Sequence, residues 1–323
     1  MCCHACIQYY NNYEHDKVIT QLVYIYKQSI RMSQKRALPS YITSQHNIDG
    51  ILNPKFISAD PEHIEKVNNF PLRPDDTFVT CYPKSGTHWL MKIVLLIVNN
   101  GDDQYVQRAP QLFNDYQWFE AAGMPGYPGL DKIHDLPSPR LFFGHQYYSR
   151  LPGGPPNTTQ ARYIYCARNP KDVAVSFYHH SLKRSGINVE CDLSWDEFLD
   201  HFLRGEVSFG SWWEHIPKWW AHRDEPNVLF LKYEDMKKDL PISIKTISDF
   251  LGYNIDQDTL QKIAQATTIE SMKVNSVAWS EKQFLRKGVV GDWKNHFTPA
   301  QSEAMDKVYC KVVEGTGLEF EFN

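Results

Sequence analysis

Thr80-Cys81-Tyr82-Pro83-Lys84-Ser85-Gly86-Thr87-His88-Trp89 is the stretch from which the fold is read. The run before it, Thr77-Phe78-Val79, is apolar and reads as a short buried strand. The run after it, Trp89 to Val98, is almost wholly apolar and reads as a buried helix. A Lys-Ser-Gly-Thr turn between a strand and a helix is an anion cradle. Backbone N–H groups at the helix start point at the ligand, and the helix dipole favours negative charge. Lys84 adds a mobile positive charge, Ser85 and Thr87 add hydroxyl donors, and Gly86 allows close backbone approach. The expected ligand therefore carries a phosphate-like group. A Walker A loop places Gly, four residues, then Gly-Lys-Ser/Thr. Here no Gly precedes Lys84 and Gly86 follows it, so the loop is P-loop-like in logic but not in spacing.

The rest of the chain narrows the class. A length of 323 residues allows one large domain or two smaller ones, and 42% hydrophobic content is ample for a core. A net charge of −4 argues against a nucleic-acid partner, so any anion site must be a local concentration of Lys and Arg. Cys81, Cys166, Cys191 and Cys310 are scattered without framework spacing, which fits a reducing compartment. Cys2, Cys3 and Cys6 crowd the N-terminus, where a metal site, a palmitoylation site and a leader with exposed thiols all remain open. No run is long and apolar enough for a transmembrane helix and no secretory signal is evident, so the expected location is the cytoplasm. Residues 1–38 read as a poorly ordered extension that includes a loosely amphipathic Val18–Ile30, and residues 39–323 as one domain.

Three further strands are expected. Arg140-Leu141-Phe142-Phe143 ends at Gly144-His145, Arg162-Tyr163-Ile164-Tyr165-Cys166-Ala167 ends at Arg168, and Asn227-Val228-Leu229-Phe230-Leu231 ends at Lys232-Tyr233-Glu234-Asp235. The last two are nearly continuously apolar, as parallel strands buried on both faces are. Asn169-Pro170 opens a helix and Gly252 closes one after Ile247, Phe250 and Leu251. Strands alternating with helices imply an α/β fold, a single domain with a central, mostly parallel sheet flanked by helices. Lys84, His145, Arg168 and Tyr233 then all stand just past a strand's C-terminal end, the edge where open α/β sheets bind ligands.

Two more blocks carry cations. Arg168-Asn169-Pro170-Lys171-Asp172-Val173-Ala174-Val175-Ser176 offers a planar guanidinium and a hydroxyl, although an ordinary helix start accounts for the same residues. Phe284-Leu285-Arg286-Lys287-Gly288-Val289-Val290-Gly291-Asp292-Trp293-Lys294-Asn295-His296-Phe297-Thr298 sets two cations beside a Gly. Taken with the Lys84 loop, these blocks resemble the cytosolic sulfotransferase family in order and spacing, and Gly205–Trp212 and Tyr233–Met236 look like family segments too. The resemblance covers roughly residues 45 to 320.

The resemblance implies a donor, 3′-phosphoadenosine 5′-phosphosulfate (PAPS), and sulfuryl transfer to a hydroxyl or amine of a small acceptor. It implies that Lys84, Ser85, Gly86 and Thr87, with His88 beside them, hold the 5′-phosphosulfate end. Arg168, Ser176, Arg286, Lys287 and Gly288 would hold the 3′-phosphate, and Trp89, Tyr233, Thr267 and Met272 the nucleoside. His145 matches the catalytic base, and Lys84 would neutralise charge on the leaving oxygen. No metal is required.

Four positions depart from the family pattern. His88 stands where a second Thr is usual, and a protonated imidazole is one replacement for the lost donor. Phe143 stands where a Lys usually lies two residues before the catalytic His. Ile269 replaces an aromatic that packs on adenine. Pro299, within the Lys294–Glu303 segment that resembles the family's homodimerisation motif, removes a donor from any backbone pairing there. The acceptor pocket is expected among Phe113, Tyr116, Trp118, Phe119, Tyr147 and Tyr148, whose aromatic walls suit phenols, steroids or other apolar alcohols. Lys183 and Arg184 mark either an acidic acceptor or a solvated helix end. Two other classes stay open: a nucleotide kinase, for which Glu234-Asp235 would offer acids to magnesium, and a nucleotide-binding module without the chemistry.

Overall fold

The computed structural model describes residues 45–55, 57–103, 116–124, 126–184, 193–275 and 285–323. The extension at 1–38, the Val18–Ile30 helix, the three N-terminal cysteines, Cys191 and Phe113 lie outside the described residues.

Seven strands are described: β1 (Gln45–Ile48), β2 (Ile51–Pro54), β3 (Thr77–Cys81), β4 (Tyr116–Trp118), β5 (Leu141–Gly144), β6 (Arg162–Ala167) and β7 (Val228–Lys232). The helices are α1 (Pro61–Asn68), α2 (Thr87–Val98), α3 (Leu130–His134), α4 (Pro170–Arg184), α5 (Trp195–Leu203), α6 (Trp212–Ala221), α7 (Tyr233–Lys238), α8 (Leu240–Leu251), α9 (Gln257–Ala266), α10 (Ile269–Asn275) and α11 (Pro299–Val313). The four strands read from the sequence are present within two residues of their expected ends. They form a sheet of order β4-β5-β3-β6-β7 in which every neighbouring pair is parallel. β4 was not foreseen as a strand; with three residues it carries too little alternation to show. The β1–β2 hairpin also escaped notice, although its Asp49-Gly50 turn, with φ of 48° and 87°, has the composition such hairpins need.

Side-chain alternation divides the core into two layers. Phe78, Phe142, Tyr163 and Tyr165 point to one face, where they meet α4, α5, α6 and α11. Val79, Leu141, Ile164 and Cys166 point to the other and meet α2, α8 and α9. One face is aromatic and the other mainly aliphatic, and both are closed to water, which explains the continuous apolar runs. At the sheet's other end Arg140 forms a bidentate pair with Asp76, Nε to Oδ1 at 2.7 Å and Nη2 to Oδ2 at 2.5 Å. Both side chains are fully buried, so Arg140 locks the starts of β3 and β5 together rather than beginning β5.

Local signals set the helix ends. Asn169 Oδ1 accepts the Asp172 N–H at 2.8 Å, capping α4 before Pro170. Gly252 closes α8 at φ 80°. Thr298 and Gln301 form a capping box for α11 with Pro299 in its first turn. Within the helix Pro299 costs nothing, because an N–H at a helix start has no partner inside the helix. Among the described residues no helix is long and apolar enough to cross a membrane.

Chain order places the site. From β3 the chain runs out to the edge strand β4, returns to β5 beside β3, then crosses to β6 and β7. The direction reverses around β3, so a crevice opens at the C-terminal ends of the strands. Glu120, His145, Lys84, Arg168 and Tyr233 follow β4, β5, β3, β6 and β7, in the spatial order of the sheet.

Candidate active site

One continuous cavity of about 930 Å³ lies at this edge. Lys84, Gly86, Thr87, His88 and Trp89 line it from the β3–α2 turn, and His145, Arg168, Ser176 and Tyr233 from the neighbouring strands. Thr267, Met272, Arg286, Lys287 and Gly288 complete the expected set. Ser85 is the exception. It is fully buried behind the loop, its carbonyl accepts the Cys166 thiol at 3.2 Å, and its Oγ has no hydrogen-bond partner.

The β3–α2 loop is tightly held. Gly86 takes φ 110°, and a Cβ there would come within 3.0 Å of the Tyr233 ring, so only Gly permits both the turn and the contact. Lys84 itself adopts φ 69°. Thr87 Oγ1 and Cys81 Sγ are 2.6 Å apart. No side chain caps α2, which leaves its first turn as an anion-binding end.

His145 is fixed at three points. Its Nδ1 lies 2.8 Å from the Cys81 carbonyl, its backbone N–H donates to Glu120 Oε1 at 2.7 Å, and its carbonyl accepts from His215 Nε2 at 3.0 Å. A carbonyl only accepts, so His145 Nδ1 carries the proton and Nε2 keeps a lone pair. His215 must likewise carry its proton on Nε2, leaving Nδ1 to accept from Tyr165 at 2.8 Å. Burial lowers the His145 pKa to about 4, with Lys84 pushing the same way against the Cys81 hydrogen bond. The ring is therefore neutral at pH 7.

His88 corrects an expectation. Burial, reinforced by Lys84 and His145, lowers its pKa to about 3. It is neutral, and a protonated imidazole does not replace the missing hydroxyl.

Arg168 is a hinge between loops. Its Nη1 reaches the Lys84 carbonyl at 3.5 Å and its Nη2 the Val289 carbonyl at 2.8 Å, while its guanidinium stacks 4.3 Å over Tyr233. Its Nε is buried without a hydrogen-bond partner. Asp172 accepts from Gly291 N at 2.8 Å and Trp293 N at 3.1 Å, which ties the far loop to the start of α4. Arg286 and Lys287 both pair with the buried Asp292, Lys287 at 2.6 Å. Burial works against ionisation of Asp292, but hydrogen bonds from Lys287, Arg286 and Asn295 outweigh it and hold the carboxyl well below its usual range. Gly288, at φ 68°, closes on Ile269, where a Cβ would meet the side chain at 2.9 Å. Ile269 lines the same cavity.

Where the nucleoside is expected, Trp89 donates its indole N–H to the Thr267 carbonyl at 2.8 Å and packs edge to face on Tyr233. The Thr267 hydroxyl is used within its own helix, on Ile263 O. Glu234 is buried and accepts from Asn169 N and Nδ2 at 2.9 and 2.8 Å, so it braces the β6 turn instead of facing a metal.

Near His145 the wall is aromatic. Trp118 and Phe209 pack edge to face on the imidazole, at 6.5 and 4.7 Å, and Phe143 and Tyr127 pack on Trp118. Three expected pocket residues are elsewhere. Phe119 is in the core, Tyr147 exchanges hydrogen bonds with the Ser211 backbone, and Tyr148 bonds Glu225 and stacks on His222. The Gly153-Gly154 turn lies against Phe70 and Leu72, away from the cavity. Phe209, Tyr127 and Met124 line the cavity unforeseen. Phe209 sits at φ 64°, a strained conformation for a bulky residue, anchored by its N–H on Leu52 O at 2.7 Å. Its place beside Gly210 in the Gly205–Trp212 segment was the available signal.

The donors suit a nucleotide bearing two anionic ends. One is a strand–helix turn with a Lys, and the other an Arg–Lys–Gly loop. Unpartnered Ser85 Oγ and Arg168 Nε lie beside them.

Known proteins agree with this geometry. The profile of the sulfotransferase domain matches residues 74–317. Human sulfotransferase 1C2 is 35% identical over 297 residues, covering 88% of this chain and 98% of that protein. Dog sulfotransferase 1A1 is 39% identical over 271 residues, covering 80% and 90%. The crystal structure of mouse sulfotransferase SULT7A1 complexed with PAP superposes with a TM-score of 0.69 at 31% identity, covering 84% of this chain and 94% of that one. Retinol dehydratase, in a structure with androsterone and inactive cofactor PAP, shares the fold with a TM-score of 0.74 at 24% identity, covering 96% of each chain. With the domain matched over most of its length and curated relatives above one-third identity, this chain belongs to the sulfotransferase family and is a sulfotransferase.

Proposed function

We propose that the cavity binds PAPS and directs its sulfuryl group to the hydroxyl of a small, largely apolar acceptor such as a phenol or steroid, with His145 as general base. The observation that carries this reading is the state of His145: neutral, Nδ1 bound to Cys81 O, and Nε2 left as a base in a cavity walled by aromatic rings. The PAP-bound sulfotransferase among the similar structures supports the donor. When bound, the donor supplies the activated sulfuryl group.

The chain's residues then divide the work. His145 Nε2 takes the acceptor hydroxyl proton. Lys84, whose charge already acts on His145, His88 and Cys81, neutralises charge on the phosphate-side oxygen. Gly86, Thr87 and His88 with the α2 N-terminus orient the phosphosulfate end, and Ser85 backs the turn. Arg168, Ser176, Arg286, Lys287 and Gly288 hold the 3′-phosphate, with Trp89, Tyr233, Thr267 and Met272 around the nucleoside. Phe143 makes the base's surroundings apolar where the family pattern sets a cation, which favours acceptors without charge.

Radiosulfur-labelled PAPS incubated with a panel of phenols, steroids, alcohols and amines tests this. Label should reach an organic product and fall about a hundredfold or more in His145→Ala. Undiminished transfer in that variant, or tight PAP binding without transfer to any acceptor by the wild type, would overturn it.

Three coarser features go with this reading. Cys81 and Cys166 are in register on neighbouring strands yet free, which supports a reducing, cytoplasmic setting. A single domain over 39–323 is supported by the hydrogen bond from Phe209 N–H to Leu52 O, which ties β2, upstream of the matched segment, to the cavity wall. Lys294, Asn295, Thr298 and Pro299 are exposed and suit homodimerisation through the Lys294–Glu303 segment; sedimentation of a monomer at micromolar concentration would exclude it.

A further inference from the structure

Glu120 lies in a short 3-10 turn, Phe119–Ala121, directly after β4. Its Oε1 accepts the His145 backbone N–H, and the Trp118 side chain acts on the same carboxyl. Its Oε2 is buried with no hydrogen-bond partner, and so is Gln146 Oε1. These two oxygens converge on Gly144: a Cβ there would lie 2.2 Å from Gln146 Oε1 and 2.5 Å from Glu120 Oε2. Two buried lone-pair oxygens brought to one dry corner are each costly without a donor, and a proton on the carboxyl would serve both.

We propose that Glu120 is a positioning residue that works as a neutral carboxylic acid, its Oε2–H donating to Gln146 Oε1 while its Oε1 accepts from His145 N–H. The bond ties β4 to the turn after β5, so one side chain sets both the base and the Trp118 wall of the acceptor pocket. The inference rests on His145 being the base. Burial pushes the Glu120 pKa up to about 7, and the His145 backbone N–H and the nearby Trp118 side chain pull it back only in part. The titratable groups facing this corner are His145 on the β5 side and Cys81 and Lys84 on the β3 side; Cys81 is raised to about 12, chiefly by burial, and stays a thiol. His145 already titrates near 4, which leaves Glu120 as the group that changes charge near neutrality. Protonated Glu120 is favoured below about pH 7, so the turn is ordered there and loosens as pH rises and Oε2 faces Gln146 Oε1 as a carboxylate.

The test measures kcat and KM from pH 5 to 9 with a steroid alcohol, which does not titrate in that range. Tryptophan fluorescence of the substrate-free proteins is followed over the same pH values. The proteins are wild type, Glu120→Gln, Glu120→Ala and Gln146→Met. Wild type should show a fluorescence transition and a falling kcat near pH 7. Glu120→Gln supplies the same acceptor and a permanent donor, so it should keep kcat within about threefold and lose both transitions, whereas Glu120→Ala should lose about tenfold or more in kcat. Gln146→Met removes the partner oxygen and should move the transition to lower pH. A Glu120→Gln variant as impaired as Glu120→Ala, or a transition unmoved in the Glu120 and Gln146 variants, would overturn the inference. A wild type that transfers no sulfate at any pH would instead overturn the reading of His145, and the fluorescence data would still decide the state of Glu120.

Discussion

The loop at Lys84 and the loop at Arg286–Val290 line the same cavity, but different forces hold them. The first is continuous with a fully buried strand and a buried helix. The Cys166 thiol, the Cys81–Thr87 contact and the Tyr233 ring pack it from below. The second has no strand or helix of its own. It hangs from the Val289 carbonyl on Arg168, from Gly291 and Trp293 N–H groups on Asp172, and from Arg286 and Lys287 on Asp292. One cradle is preformed by the core, the other by charged side chains. The difference teaches where binding energy is spent. On the proposed function, the first loop is already in place for the chemical step, whereas the second would exchange a carboxylate for a phosphate as the donor enters. Arg168 touches both, so on the proposed function the two ends of the nucleotide would not be held independently.

The comparison breaks most sharply at Lys84. Lys84→Met keeps the side-chain length and removes the charge from a loop that the core still supports. It should lower kcat about a hundredfold to a thousandfold, with little change in donor KM or in the unfolding midpoint. A large rise in donor KM with unchanged kcat would mean that this loop, too, serves mainly to bind.

At the second loop the order reverses. Asp172→Ala leaves the Gly291 and Trp293 N–H groups and one N–H of the Asn169 amide without their acceptor, at a cost of about 1–3 kcal/mol for each left buried. Donor KM should rise about a hundredfold, while kcat at saturating donor changes far less. Arg286→Ala removes one charge-assisted contact worth about 1.5–3 kcal/mol, so donor KM should rise tenfold or somewhat more. Isothermal titration with PAP separates these effects from turnover. If Asp172→Ala lowers kcat as much as it raises KM, the two loops are one mechanical unit and the distinction between them fails.

The same contrast explains what could be read from the sequence. The Lys84 turn and β3, β5, β6 and β7 follow from residues adjacent in the chain, so continuous apolar runs and loop composition exposed them. The second cradle was found only through family resemblance, because its support comes from Asp172, 119 positions before Gly291. His88 was misjudged because its charge depends on burial that no local pattern shows. Tyr147 and Tyr148 were assigned to the acceptor pocket because aromatic content does not say which way a ring points; the polar ends of both are satisfied by Ser211 and Glu225 instead. Glu120 carried no signal, since a lone acid in an aromatic stretch has no partner in spacing.

The mildest test lies inside the second loop. Lys287 and Arg286 grip the same carboxylate, but the Lys287 side chain is 52% exposed and that of Arg286 only 20%. Water and salt screen the Lys287 charge, and its long side chain loses rotamer freedom when it is held. Lys287→Ala should therefore raise donor KM only about threefold at physiological salt, with the gap to wild type closing as ionic strength rises. The Arg286→Ala gap should persist under the same titration, because its planar guanidinium is more deeply set. Donor KM for the two variants, measured at low and high salt, decides the point. Equal, salt-sensitive losses would mean that the second loop binds as a diffuse patch of charge. Unequal losses, only one of them salt-sensitive, would mean that Arg286 forms a specific contact and Lys287 mainly draws the anion in.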